Sequence, residues 1–551
     1  MSSSTPAAGS APAASGERAA RGAFSGRAAF IFAAIGSAVG LGNIWRFPAV
    51  AYNNGGGAFM IPYLVALLTA GIPLLFVDYA IGHRWRGSAP MAWRRLKRAT
   101  EFIGWWQVLI CVVIAAYYAL IIGWALNYMV FSLDQKWGKD AGAFFGAFTR
   151  APEAGATTIS FDIIPAALIA IVVVWVATLV TMALGIENGV AKTSMIFIPL
   201  LVVMFLGLVI RSLFLPGAIE GLDALFKPNW GALLNPQVWI AAYGQIFFSL
   251  SVAFGIMLTY ASYLKKKSDL TGSGLVVAFA NSGFELLAGI GVFSALGFMA
   301  QAQGVEISKV VKDGVGLAFI AFPTIISEAP GGAIIGVLFF GSLVLAGFTS
   351  LVSIVEVIIS AVQDKFGMRR IPATLATIVP LAVVSCIAFP TTMGLPLLDT
   401  LDNFVNQYGI VGAAIASTVT VAFVVRALPT LRDHLNHSGS IPIGLWWVVC
   451  VMVIVPVALV VTLVLSTYEL LTSPTPYGEY PSWFVGVFGW AMAAFLLVAG
   501  IGLSVLPWSK RSHLERLDSD GDAIAPEIHP GRGLESHPDA ATPHDLRSAH
   551  H

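Results

Sequence analysis

The 551-residue chain is 57% hydrophobic and only 11% charged, with a formal net charge of +1 and a mean hydropathy of +0.81. A soluble protein of this size could not carry such a composition without exposing apolar surface, so a soluble protein is excluded and an integral membrane protein is implied. The net charge says nothing by itself, and no nucleic-acid partner is expected.

Residues 1–20 are rich in Ala, Ser, Gly and Pro and lack the charged start and apolar core of a cleaved signal peptide, so they read as a disordered tail. A single transmembrane domain is expected over 21–508. Within it about twelve stretches are long and apolar enough to span, near 28–50, 57–82, 104–131, 162–181, 194–214, 236–262, 272–300, 331–362, 372–391, 408–426, 442–467 and 484–507. The first contains GSAVGLGNIWRFP (Gly36 to Pro48), with three glycines, an asparagine and an arginine where a spanning helix needs apolar side chains. Backbone groups cannot stay unpaired in lipid, so such a break survives only where protein, water, an ion or a ligand satisfies it. Gly-x-x-x-Gly alone would indicate helix packing, but Asn43 and Arg46 require a polar cavity. The sixth stretch carries a similar interruption, FFSLSVAFG (Phe247 to Gly255). Two breaks five spans apart fit an all-α membrane fold with inverted five-helix repeats, spans 1–5 and 6–10, and unwound helices 1 and 6.

Basic residues mark every second loop. Arg84, Arg86, Arg94, Arg95, Lys97 and Arg98 follow the second span, Lys265 to Lys267 the sixth, and Lys365, Arg369 and Arg370 the eighth. A multi-pass protein of the cell membrane with both termini cytoplasmic is expected. Cys111, Cys386 and Cys450 lie within spans and read as small buried side chains. Residues 509–551 read as a disordered cytoplasmic tail, because Asp518 to Asp522 begin like a calcium loop but Ala523 replaces the required glycine. All nine histidines fall outside the expected span interiors and no nucleophile stands with a base, so an enzyme is not expected.

GSAVGLGNIWRFP is followed by NNGGGAFMIPY (Asn53 to Tyr63), GIPLLFVDYAIG (Gly71 to Gly82), AAYYALIIGW (Ala115 to Trp124), GIENGVAK (Gly185 to Lys192), GQIFFSLSVAFG with TYASY (Thr259 to Tyr263), and AGFTSLVS (Ala346 to Ser353). In that order these blocks resemble the neurotransmitter:sodium symporters, and among them the bacterial amino-acid transporters. The resemblance implies two sodium ions. One site falls on Gly36, Val39, Ala346, Thr349 and Ser350. The other falls on Ala38, Asn43, Ser249 and Asn281, completed by the substrate carboxylate. It also implies a substrate site: Leu41 and Gly42 offer backbone N–H groups and Tyr118 a hydroxyl to a carboxylate. Ala38, Phe248, Ser249 and Ser251 face the ammonium. Ile114, Phe248, Phe254 and Ile354 surround the side chain, with Gly40 and Ser350 in the same pocket.

Monoamine carriers of that family place an Asp where this chain has Gly40, so a substrate with its own carboxylate is implied. An apolar wall without a placed charge then points to a neutral, hydrophobic amino acid. Chloride-dependent members hold the anion among residues matching Tyr63, Gln245 and Ser249 and a Ser where this chain has Glu285. Glu285 is therefore expected to substitute for chloride, and could carry a proton on the return step. The family's outer gate falls on Arg46 and Asp402, and its inner gate on Arg21, Asp364 and Tyr263, with Phe24 replacing a tryptophan. Ser37, Leu351 and Asp78 depart from the leucine transporter's pattern and leave the side-chain preference open. The expected activity is sodium-coupled import by alternating access. A proton-coupled amino-acid transporter with broken helices, or a channel or receptor that binds amino acids without accumulating them, are the alternatives.

Overall fold

The computed structural model describes residues 23–152, 160–312, 314–475, 477–512 and 514, and among them no strand forms. Its principal helices are α1 (Arg27–Ala38), α2 (Leu41–Asn53), α3 (Gly57–Trp85), α4 (Ala89–Leu96), α5 (Arg98–Phe131), α6 (Ala141–Thr149), α7 (Pro165–Ala183), α8 (Ile186–Leu213), α9 (Ala218–Phe226) and α10 (Pro236–Ser249). They continue with α11 (Ile256–Ala261), α12 (Leu270–Gln303), α13 (Gly314–Glu328), α14 (Gly332–Phe366), α15 (Arg370–Ala388), α16 (Gly394–Val424), α17 (Leu428–Ser438), α18 (Leu445–Thr472) and α19 (Ser482–Val505). Ten of these are long and apolar enough to cross a membrane unbroken, and α1 with α2 forms a further span bent by 54°. The remaining expected span, 236–262, is α10 and α11, parted by the non-helical residues 250–255.

An all-helical arrangement follows from the solvent. In hydrocarbon only a helix or a closed barrel pairs every backbone group, and these apolar runs lack the alternation of a barrel strand. α5 and α14 pack together more extensively than any other helix pair. They form the centre against which α1, α8 and α7 lie, while α18 and α19 leave most of their apolar surface outward.

Two expected boundaries move. The tenth span begins at Gly394 rather than near 408, because Asp399, Asp402, Asn403 and Asn406 read as a polar loop. Asp399 instead accepts hydrogen bonds from Tyr477 and Tyr480, both at 3.1 Å, and Asn406 donates to Asp402, so these polar groups find partners within the bundle. The fifth span begins at Ile186 rather than near 194. Gly185, at φ 84°, precedes one wide π-turn, Ile186–Ala191, that takes GIENGVAK into the helix.

At the basic end a buried charge cluster ties the chain's last described residues to the central helices. Glu101 accepts from Lys365 at 2.9 Å, Arg94 at 2.7 Å, Trp105 at 3.0 Å and Trp508 at 2.9 Å. Lys365 also donates to the Leu506 carbonyl at 2.7 Å. Ser509 donates to the Lys365 carbonyl and Leu514 accepts from Arg95, so the first residues of the expected tail lie against α4 and α14. The expected N-terminal tail, Arg21 and the Asp518 to Asp522 run lie outside the described residues. All three cysteines are unpaired. Among the described residues no group of His, Cys, Asp and Glu is placed to hold a metal ion.

Candidate functional site

The first break is two residues long. α1 closes with the Val39 N–H on the Ile35 carbonyl at 2.7 Å, Val39 and Gly40 run extended, and the chain turns helical again at Leu41. The last carbonyls of α1 and the first N–H groups of α2 therefore face each other without intrahelical partners. Side chains from elsewhere meet some of them. The Ser251 hydroxyl donates to the Ser37 carbonyl at 3.0 Å, and the Ser350 hydroxyl to the Gly36 and Ser37 carbonyls at 3.4 and 3.5 Å. Asn43 reaches back to accept the Gly40 N–H at 2.9 Å.

Two of the glycines are required by what stands opposite. A Cβ on Gly42 would lie 2.1 Å from the Phe248 ring, so only glycine lets that ring close over the break. A Cβ on Gly40 would point between the Ser350 and Tyr118 hydroxyls, 3.1 and 3.4 Å away, which leaves that space to a ligand.

The second break, 250–255, is wider. Ser251, Ala253 and Gly255 take left-handed angles with φ of 52°, 65° and 89°. Asp78 accepts the Ala253 N–H at 2.9 Å, Gln107 donates to its carbonyl at 3.0 Å, and Cys111 donates to the Phe254 carbonyl.

A cavity of about 80 Å³ lies where the two breaks meet. That volume suits a few waters or one small solute rather than a drug-sized ligand. Every residue expected at the substrate site lines it: Ala38, Gly40, Leu41, Gly42, Ile114, Tyr118, Phe248, Ser249, Ser251, Phe254, Ser350 and Ile354. Ser37, Asn43 and Asp402 also line it, as do four residues not anticipated there, Tyr117, Ile256, Asn406 and Ile410. Larger depressions of about 430 and 490 Å³ lie elsewhere, one between Trp239 and Val461 and one beside Glu220 and Glu306, and neither touches a break.

The expected sodium donors fall into two groups. In one, Thr349 donates to the carbonyls of Leu345 and Ala346 at 3.1 Å, and its Cβ is 3.3 Å from where a Gly36 Cβ would sit, so α1 and α14 approach closely. Ser350 bridges from α14 to the α1 carbonyls. In the other, Asn43 donates to Asn281 at 2.8 Å and Asn281 to the Ser249 hydroxyl at 3.1 Å, which joins α2, α12 and α10. Both groups are uncharged oxygen donors in a buried setting, a chemistry suited to a hard monovalent cation.

One turn further along α12, the fully buried Glu285 accepts hydrogen bonds from the Tyr63 hydroxyl and from the Gln245 amide, the latter at 2.7 Å. The Tyr63 hydroxyl is also 2.8 Å from Ser282. The residues expected to surround a chloride thus point at a carboxylate instead.

The gates are arranged unequally. Arg46 lies over the Phe248 ring, 4.5 Å from its centroid, and Asp402 accepts from Tyr117 at 2.7 Å and Asn406 at 3.0 Å. Among the described residues no ion pair joins Arg46 to Asp402, although the two are close enough to interact through space. At the other end Phe24 is 1% exposed and packs edge-on against Phe30, Tyr260 and Tyr263. Tyr263 donates to Glu356 at 2.6 Å, and Asp364 accepts the Ser88 N–H at 2.7 Å. Leu351 is fully buried behind the cavity and does not line it.

Residues 21–144 and 156–510 match the profile of the sodium:neurotransmitter symporter family. An uncharacterized sodium-dependent transporter of Methanocaldococcus jannaschii is 41% identical over 463 residues, 83% of this chain and 92% of that protein. The sodium- and chloride-dependent neutral and basic amino acid transporter B(0+) of Homo sapiens is 30% identical, covering 85% of this chain and 83% of its own length. The sodium-dependent serotonin transporter of Drosophila melanogaster is 31% identical, covering 84% and 79%.

Proposed function

We propose, since this chain belongs to the sodium:neurotransmitter symporter family, that it imports a neutral, hydrophobic amino acid together with two sodium ions and without chloride. The observation that carries this reading is the single buried cavity at which both helix breaks converge, with an empty face on Gly40 and an apolar wall from Ile114, Phe254, Ile256 and Ile354. The first turn of α2 offers N–H groups and partial positive charge to a carboxylate, while the α1 carbonyls offer oxygen to an ammonium or a cation. An aspartate at position 40 would occupy the carboxylate's place; glycine leaves it to the substrate. The human amino-acid relative supports the substrate class.

Gly36, Val39, Ala346, Thr349 and Ser350 would hold one sodium, and Ala38, Asn43, Ser249 and Asn281 the other, with the substrate carboxylate as a shared ligand. Such sharing makes each affinity depend on the other, which is the thermodynamic content of coupling. Each sodium moving inward gains about 2.3 kcal/mol per 100 mV, and one alone is enough for about 50-fold accumulation. Glu285 would supply the fixed negative charge that chloride supplies elsewhere. Alternating access would pair opening at Phe248, Arg46 and Asp402 with closure at Phe24, Tyr263, Asp364 and Arg21, and the reverse. The protein sits in the cell membrane, the end bearing Phe24 facing the cytoplasm. No catalytic role is assigned.

The test is competition by each amino acid against labelled leucine for binding to the purified protein, with and without sodium. Displacement by apolar amino acids in sodium alone supports the proposal. Displacement by amines lacking a carboxylate, or sodium-free binding at low pH, contradicts it.

A further inference from the structure

The second break is pinned by groups outside both the substrate and sodium sets. Ala253 stands at φ 65°, a left-handed conformation that costs an ordinary L-residue energy and persists only where its surroundings enforce it. Both ends of the residue are held: its N–H by Asp78 of α3 at 2.9 Å, and its carbonyl by Gln107 of α5 at 3.0 Å. The Gln107 side-chain oxygen accepts from the Trp93 indole of α4 at 3.2 Å. An indole N–H only donates, so Trp93 fixes which end of the Gln107 amide is oxygen and thereby aims its NH₂ at Ala253. Gln107 and Trp93 are both fully buried. Gln107, Cys111, Ile114 and Tyr118 follow helical spacing on one face of α5. The face that walls the cavity with Ile114 and Tyr118 therefore also grips the break through Gln107 and, one turn on, through Cys111.

We propose that Gln107 is a positioning residue for substrate binding. Held in orientation by Trp93, it keeps Ala253 left-handed, so that the Phe248 and Ser249 carbonyls on one side and the Phe254 ring on the other face the cavity. It also links α4, at the basic end, to the break. The inference rests on the amino-acid transport reading, and its test separates the two.

The experiment uses the full-length protein in detergent and the best-competing labelled amino acid in saturating sodium. Q107L removes the grip and is expected to weaken binding about tenfold at every pH. Q107E still accepts from Trp93 but presents a second oxygen to the Ala253 carbonyl. It is expected to bind about tenfold more weakly than wild type near pH 8 and to recover to within about twofold near pH 5.5, where a carboxyl at this fully buried position, raised by desolvation above its ordinary value of about 4.3, is protonated and donates again. Asp78 across the same residue and Cys111 one turn on are titratable groups bonded to the same break, and the ratio to wild type at each pH cancels them. W93F frees the amide and is expected to weaken binding about threefold in wild type but not further in Q107L.

Wild-type affinity of Q107E at pH 8, or no recovery at pH 5.5, overturns the proposal; if Q107L does not fold, Q107E and W93F decide it. Hydrogen exchange over 250–255 without amino acid is expected to be about tenfold faster in Q107L or W93F than in wild type. Unchanged exchange also overturns the proposal. Faster exchange in the variants of a protein that binds no amino acid in sodium would fault the transport reading and uphold the grip.

Discussion

Replacing Glu285 with serine isolates the charge placed among Tyr63, Gln245 and Ser249. The carboxylate is 0% exposed and accepts from the Tyr63 hydroxyl and the Gln245 amide. Tyr63 keeps Ser282 as a partner at 2.8 Å, so the main cost of Glu285→Ser is one amide donor left unsatisfied in the membrane interior, together with a lost negative charge beside the sodium set. An unsatisfied buried donor costs ~1–3 kcal/mol, which corresponds to a loss of about 5- to 150-fold in apparent affinity. A chloride ion would accept from the same donors and restore the charge. Uptake into proteoliposomes at pH 7.5, in chloride against gluconate, should give a ratio of about one for the wild type and at least about five for Glu285→Ser. A chloride requirement in the wild type, or a variant indifferent to chloride, would refute the reasoning.

Gly42→Ala would place a methyl 2.1 Å from the Phe248 ring, and overpacking of this kind costs ~1–3 kcal/mol; amino-acid binding should fall at least about fivefold, with the folded yield retained on size-exclusion chromatography. Gly40→Asp should lower binding of carboxylate substrates more than about tenfold while raising the relative affinity of the matching decarboxylated amine, measured by competition. Glu101→Gln leaves Lys365, whose side chain is 2% exposed, without its counter-charge; breaking a buried pair costs ~3–5 kcal/mol, so thermal unfolding should come much earlier than in a Glu101→Leu, Lys365→Met double variant. Burial first, and then the positive surroundings of His83, Arg84, His437 and Arg86, pull the His434 imidazole down to about 2. A histidine with a lowered folded pKa contributes stability that is fully present above the ordinary value of about 6.5 and is lost as pH falls below it. Hydrogen-exchange protection over 428–438, relative to the intrinsic rate at each pH, should therefore fall at pH 5 in the wild type, and much less in His434→Gln.

The first break was legible because glycines, Asn43 and Arg46 interrupt an apolar run that hydrocarbon would not tolerate. The substrate residues followed from matching motif positions, and they line one cavity together. What sequence missed depends on partners far along the chain. The tenth span starts too late in the sequence reading because Asp402 and Asn406 resemble a loop, so Asn406 is lost from the cavity with it, while Ile410 lies within the expected span and nothing local shows that it faces the cavity. Gln107 is an amide within the apolar run of α5, a signal that something polar faces it, but nothing local shows that the partners are Trp93 and Ala253. Lys365 reads as a loop charge and Glu101 lies outside the expected 104–131 span, until the fold brings them within 2.9 Å across 264 positions. The expected outer-gate pair lies with Arg46 over the Phe248 ring and Asp402 on the Tyr117 hydroxyl, contacts made across the fold that motif matching does not show.

Sodium-driven accumulation is the central claim, and uptake of the best-competing amino acid into proteoliposomes tests it most directly. With an inward sodium gradient and an inside-negative potential, the amino acid should rise above its outside concentration at pH 7.5, and collapse of the sodium gradient should release it. Asn43→Ala and Thr349→Ala should each raise the sodium concentration needed. Equal uptake without sodium, equilibration with no concentration above the outside level, or undiminished sodium dependence in both variants would contradict the account.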